Sequence, residues 1–215
     1  MKNGTASKME CGQLAELAAA IIRQLPHVEG LGEVAQGWIE NGAALKKVLT
    51  EALVPLVRAS NALLEEVGIV NLPSIGKFIA RSYFTRDSKE VKFYGFGSNF
   101  ENNFLDKVEE AQAETTLRIS KLKKDSLDKP ILDELGCTKE TTLANIRELL
   151  KKQPKGESGK LLTNGYANIF YVRDAVSVLW AVGVYWLGVG WRVHAYSVSS
   201  PNEWGGGYQV FSRNS

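Results

Sequence analysis

The chain's imidazoles and thiols are few: His27 and His194, Cys11 and Cys137. The cysteines lie 126 positions apart without a CxxC spacing. With only two histidines beside them they build neither a disulfide framework nor a Cys/His zinc site. Metals and cofactors are therefore not called for, and a reduced cytoplasmic setting is the expectation. His194 is the one histidine in an aromatic tail, alternating with Arg192 and Tyr196 on the side opposite Trp191, Val193 and Ala195. It becomes a general base if Asp174 or Glu203 orients it, which is the chemistry of a hydrolase. No GxSxG nucleophile motif accompanies it, and a strand histidine on a semi-exposed face is the competing reading.

Two glycine-bearing segments resemble phosphate cradles. Gly156-Glu157-Ser158-Gly159-Lys160 lacks the glycine five residues before Gly159 and the Ser or Thr after Lys160; Pro154 and Leu161 stand there, so it reads as a solvated loop. Gly95-Phe96-Gly97-Ser98-Asn99-Phe100 puts Gly95, Gly97 and Ser98 between a strand and a helix start. Free backbone N–H groups there could hold an anion. The dinucleotide pattern fails at Phe100, and a plain helix cap explains the same residues. Lys121-Leu122-Lys123-Lys124 and Lys151-Lys152-Gln153-Pro154-Lys155 lie among acidic residues and read as solvated faces, which disfavours nucleic acid as a partner.

Trp186, Trp191, Trp204, Tyr196 and Tyr208, with Arg192, Arg213 and Asn214, are residue types enriched at binding hot spots. The expected partner-binding set is Trp191, Trp204, Tyr208 and Arg213. Trp204 follows Ser200-Pro201-Asn202-Glu203 and precedes three glycines, a loop with little room to bury an indole, so it is expected to be exposed. Trp186, in a strand apolar on both sides, is expected to be buried. Core filling by all these aromatics is the alternative.

The elements that position these residues follow from composition. The 215 residues carry 26 basic and 24 acidic side chains, a net charge of +2, with 44% hydrophobic residues. Wholesale disorder and a strong field toward nucleic acid or anionic lipid are excluded. Residues 1–68 hold one aromatic, Trp38, whereas residues 166–215 hold eleven of the twenty. The first stretch has helical periodicity: Leu14–Leu25 ended by Pro26, then a longer pattern from Val34 to Val67 with a kink or helix junction at Pro55 and a C-cap at Gly68. In residues 69–165, Phe78–Phe84 and Val91–Phe96 read as a hairpin. Ser98 with Glu101 reads as a capping box, Thr115–Leu122 as a strand, Pro130–Leu135 as a helical turn, and Leu143–Leu150 as a helix capped by Thr138. Tyr166–Val172, Val178–Trp186, Gly190–Val198 and Tyr208–Ser212 are four β-type runs, most simply an antiparallel meander. The second is apolar on both sides and should be central and covered on both faces. Ala175 to Trp191 is uncharged over seventeen residues, but its alternation and the Leu187-Gly188-Val189-Gly190 turn favour a buried hairpin over a membrane span. Glu10 and Glu16 argue against a secretory signal.

Asn164-Gly165-Tyr166-Ala167-Asn168-Ile169-Phe170-Tyr171-Val172-Arg173-Asp174, Gly190-Trp191-Arg192-Val193-His194-Ala195-Tyr196-Ser197-Val198, Glu203-Trp204 and Val210-Phe211-Ser212-Arg213-Asn214 resemble a family of uncharacterised hypothetical proteins from candidate-phylum (Patescibacteria or Parcubacteria-like) bacteria. Leu25–Gly32, Gln36–Asn41 and Gly97–Phe100 are similar to stretches of the same proteins. The resemblance implies no activity or site. It departs after Arg173-Asp174, where the family tends to a glycine-bearing turn and this chain has Ala175-Val176-Ser177.

The sequence thus predicts an α+β protein, with a helical region over residues 1–68 and an α+β domain over 69–215 that ends in a four-stranded antiparallel meander. The expected function is non-enzymatic recognition of a protein or small ligand, with the His194 hydrolase as the alternative.

Overall fold

The computed structural model describes residues 29–214 and, before them, Glu16, Ala20 and Arg23; within the helices the side chains of Leu31 and residues 53–61 are outside that description. The helix read over Leu14–Leu25, its stop at Pro26, His27 and Cys11 lie outside the described residues, apart from those three helical positions. The chain forms two compact units, Met1–Ser60 and Asn61–Ser215. The first contains helix α1 (Leu31–Glu40) and most of α2 (Gly42–Asn61), separated at Asn41, whose N–H returns to the Gly37 carbonyl. α2 carries on past Pro55 without leaving the helical state.

The second unit is built on one mixed sheet. Its strands are β1 (Leu64–Leu72), β3 (Phe93–Phe96), β5 (Thr115–Leu122), β6 (Glu140–Thr141), β7 (Asn168–Arg173), β8 (Leu179–Trp186), β9 (Trp191–Ser197) and β10 (Gln209–Arg213), and the spatial order is β1-β5-β10-β7-β8-β9-β3. β6 pairs parallel with β7, continuing the row of β10. β2 (Phe78–Ile79) and β4 (Val108–Glu109) form a separate two-stranded ribbon. α3 (Ala80–Tyr83), α4 (Ser98–Phe104) and α6 (Leu143–Lys152) pack on one sheet face, while α5 (Asp128–Leu135) and the β9–β10 loop pack on the other.

Period-two alternation divides the side chains between the two faces. Phe170, Val172, Val182, Val184, Trp191 and Val193 enter the larger core with the α6 leucines and the α4 phenylalanines. Ile169, Tyr171, Ala181 and Val210 enter the smaller core with Ile131 of α5 and Trp204. β8 is therefore interior and covered on both faces, as its two-sided apolar pattern requires. Among the described residues no helix is long and apolar enough to cross a membrane. Leu187 to Gly190 is a hairpin turn, with Leu187 N–H on the Gly190 carbonyl and Gly188 at φ 78°.

Several sequence expectations need correction. β7, β8 and β9 form an antiparallel meander, but β10 leaves it and inserts between β5 and β7, antiparallel to the former and parallel to the latter. Burial explains this: Val210 and Phe211 point to opposite cores, and Phe211 stacks on Phe170 at 4.5 Å, so an edge position would strand one of them in water. Phe78–Phe84 and Val91–Phe96 do not pair. β2 pairs with β4, α3 follows it, and β3 runs parallel to β9. Adjacent strand residues face opposite ways, whereas the α3 turn lets both Tyr83 and Phe84 enter one aromatic cluster, with rings 5.3 Å apart and edge-to-face.

The expected caps also move. Ser98 is the first residue of α4, whose N-cap is Gly97 with no side-chain cap bond. α6 is capped by Thr142, which exchanges bonds with Asn145, rather than by Thr138. The Glu109 carboxylate adds bonds to the N–H groups of Leu143 and Ala144 at 3.0 and 2.9 Å, which favours a helix starting there. Residues 64–68 belong to β1 rather than to a helix. Glu134 accepts the Leu63 and Leu64 N–H groups, and Gly68 sits at a bulge instead of a C-cap.

In the turn that follows Arg173-Asp174, Ser177 adopts φ 69°, a left-handed conformation that favours glycine. The turn is held by Asp174, which accepts the N–H groups of Val176 and Val178 on one oxygen and the Trp180 indole on the other. A left-handed serine costs about 1–2 kcal/mol, partly offset by the lower unfolded-state entropy of a non-glycine residue. Ser177→Gly should therefore stabilise the protein by about 0.5–1 kcal/mol in denaturant titrations; a loss of stability would contradict this backbone account. A fragment starting at Asn61 should unfold cooperatively, whereas one starting at residue 69 loses half of β1 and should be markedly less stable by the same spectroscopic measurement.

Candidate functional site

On the smaller-core face the strands present two ladders of side chains. Across the β8–β9 pair, Ala181 faces Tyr196, Gly183 faces His194 and Tyr185 faces Arg192. Gly183 has no side chain, and the Tyr185 ring rests in its place: a Cβ on Gly183 would lie 2.7 Å from the Tyr185 hydroxyl. Burial, then the adjacent Tyr196 hydroxyl, push the Tyr185 phenol well above its ordinary range.

The β9–β10 loop closes over this face. Trp204 and Ser126 exchange backbone bonds at 2.8 and 3.0 Å, and Gly207 N–H meets the Leu122 carbonyl at 2.7 Å. Asp125 holds Gly206 N–H at 2.7 Å. Pinned this way, the Trp204 ring stands perpendicular to Tyr196, with centroids 5.3 Å apart, and at 64° to Tyr208, 6.3 Å away.

Asp128, the first residue of α5, lies beneath them and is 1% exposed. Its Oδ1 accepts the Tyr171 hydroxyl at 2.7 Å and the Trp204 indole N–H at 2.7 Å, so Oδ2 takes neither bond. Burial raises its carboxyl above the usual carboxylate value, opposed by those two hydrogen bonds. The result is a cavity of about 170 Å³ whose walls are Tyr185, Tyr196, Trp204 and Tyr208 and whose ionisable acids or bases besides the phenols are, among the described residues, Asp128 and Glu203. Glu203 is exposed at its rim.

The expected site residues scatter with respect to this cavity. Trp204 and Tyr208 belong to it, but Trp204 is 7% exposed and hydrogen-bonded, not free in a loop, because the bridge to Ser126 draws the indole onto Asp128. Trp186, expected to be buried, is half-buried against Trp191 and Gly156. Trp191 is wholly buried on the opposite face and donates its indole N–H to the Gln153 carbonyl at 2.8 Å, so it presents nothing to a partner. Arg213 lies at the far end of β10, reaching the Cys137 carbonyl.

His194 is half-buried, with Nδ1 3.3 Å from the Tyr196 hydroxyl and no partner on Nε2 among the described residues. Burial, then the Arg192 charge, hold its imidazole below the ordinary value. Asp174 spends its carboxylate on the β7–β8 turn and Glu203 sits exposed at the cavity rim, so among the described residues neither carboxylate is hydrogen-bonded to His194.

Gly97 packs against the His194 ring and gives its N–H to Val193, and Gly95 is paired with Arg192 in the β3–β9 register. The anion cradle expected at Gly95, Gly97 and Ser98 thus has its Gly97 donor occupied. The glycine-rich loop 156–160 wraps the Gln153 side chain, which bonds the Glu157 and Leu161 carbonyls and the Leu161 N–H. No family model matches the chain, and neither does any curated protein or solved structure.

Two substitutions at Asp128 separate its hydrogen bonds from its charge. Asp128→Ala leaves two buried donors unpaired and should cost about 2–5 kcal/mol. Asp128→Asn keeps an acceptor oxygen and removes the titration. A raised carboxyl contributes stability at low pH and loses it as pH rises through the carboxylate range, so the Asn variant should gain on the parent between about pH 3 and about pH 7. Denaturant titrations at both pH values measure this, and a parent that gains on Asp128→Asn over that interval would contradict it. Trp204→Ala should cost about 3–5 kcal/mol, the value for a buried indole and not for an exposed one.

Proposed function

We propose that this protein is a non-enzymatic recognition module whose binding site is the cavity between the β8–β9 face and the β9–β10 loop. The observation that carries the reading is the convergence of four aromatic rings from two strands and one loop around a pre-formed concavity with an acidic floor. Ligand sites are concave, mostly apolar and equipped with a few fixed polar groups. Half-buried Tyr185, Tyr196 and Tyr208 offer ring surface at small entropic cost, because the strands and the paired loop already hold them. Of the expected partner-binding residues, Trp204 and Tyr208 line this cavity, while Trp191 lies in the larger core.

The cavity size bears on what it takes. A cavity of about 150 Å³ accommodates benzene, so about 170 Å³ accepts a compact group of a few heavy atoms, either free or as the tip of a larger partner. A fragment screen on the full chain, read by amide and indole chemical shifts, tests the reading. Hits should perturb Tyr185, Tyr196, Trp204 and Tyr208, and Tyr208→Ala should weaken them by about tenfold or more, the effect of a binding hot spot. Hits that map elsewhere, or that ignore Tyr208→Ala, would contradict it.

A further inference from the structure

The chemistry of the cavity specifies more than concavity. Its walls are one indole and three phenols; its floor and rim carry two carboxylates, and among the described residues no lysine or arginine lines it. Aromatic faces attract a cation through the ring quadrupole, most strongly when water is excluded, and quaternary or methylated ammonium ions are recognised in such cages. A neutral sugar or base would prefer flat stacking surfaces, whereas here Trp204 stands at 90° to Tyr196 and 64° to Tyr208. Rings set at such angles enclose a roughly spherical group. An anion is disfavoured by Asp128 and Glu203, and Arg192, on the same sheet face, is exposed and outside the lining.

Resting on the recognition reading above, we infer that the ligand presents a methylated ammonium group, which enters the cage with the aromatic walls around its methyl groups and the Asp128 and Glu203 carboxylates balancing its charge. Size agrees with this assignment. A trimethylammonium head has one nitrogen and its attached carbons, fewer heavy atoms than benzene with the first carbon of its tether excluded, and so fits about 170 Å³. Asp128 is poised for such a partner. Its Oδ1 is committed to Tyr171 and Trp204, and the bonds at that oxygen orient the carboxylate while leaving Oδ2 outside both. Glu203 at the rim supplies a second charge that needs no burial before the ligand arrives. The group can come from a free small molecule or from the methylated lysine of a polypeptide; both present the same head, on different tethers.

The test uses the full chain and four probes: tetramethylammonium, choline, a peptide bearing trimethyllysine, and 3,3-dimethyl-1-butanol, the neutral carbon isostere of choline. Calorimetry gives affinities, and the Trp204 indole N–H resonance reports occupancy. The cations should shift that resonance and bind at least about tenfold more tightly than the isostere; Tyr208→Ala should weaken them by about tenfold or more and Glu203→Gln by about threefold to tenfold. Glu203 is exposed, so its variant separates a charge effect from a folding defect. Choline binding more tightly than the peptide assigns a free small molecule, and the reverse assigns a methylated side chain; either supports the cage. Isostere binding equal to choline, with the Trp204 resonance moving, would overturn the cation assignment while leaving the recognition site standing. Failure of every cation to move the Trp204 resonance would overturn the assignment outright, and the recognition reading would then stand or fall on the fragment screen.

Discussion

A single carboxylate oxygen joins three parts of the second unit. Asp128 Oδ1 receives a hydroxyl from Tyr171 in the middle of the sheet and an indole N–H from Trp204 in the β9–β10 loop, and Asp128 itself opens α5. Burying a carboxylate is costly unless it is hydrogen-bonded, and leaving either donor unpaired would be costly too. The three groups therefore hold one another in place. With Trp204 fixed, the loop becomes a wall; with α5 fixed, Ile131 closes the smaller core. The cavity is a consequence of that arrangement, because Tyr196 and Tyr208 take their positions against the Trp204 ring.

The two faces of the sheet do different work. The larger core is built of phenylalanines, leucines and valines under α4 and α6, with Trp191 fully enclosed and its N–H satisfied by the Gln153 carbonyl. The smaller face is partly polar, and its small residues Ala181 and Gly183 leave space into which Tyr185 leans. A close-packed interior has no such depressions to spare. A pre-formed hollow lined with half-buried aromatics is thus a departure from packing alone, and it lies where the last loop crosses the sheet.

Local pattern made some of this legible and distance in sequence hid the rest. Thr115–Leu122 was readable as a strand to the residue, and the two-sided apolar run of β8 signalled an interior position, because both depend only on neighbouring side chains. The partner of β10 was not readable: Tyr208–Ser212 alternates as a meander strand would, and only the demand to bury both Val210 and Phe211 places it between β5 and β7. The burial of Trp204 is hidden for the same reason. Its proline- and glycine-bearing surroundings indicate a loop, which it is, but the bridge to Ser126 and the bond to Asp128 involve residues more than seventy positions away. Asp128 gave no signal of its own, since an aspartate at a helix start is ordinary helix chemistry. Tyr185 and Tyr196 were visible as strand aromatics, and their convergence required the register of β8 against β9.

The most direct measurement of the central constraint is hydrogen exchange of the Trp204 indole N–H, followed by NMR on the intact chain. The structure predicts a single slowly exchanging resonance, protected to the level of global unfolding, because the proton sits between a buried ring and a buried carboxylate. Exchange at the rate of a solvent-exposed tryptophan would show that the indole does not rest on Asp128, and the cavity described above would lose its wall.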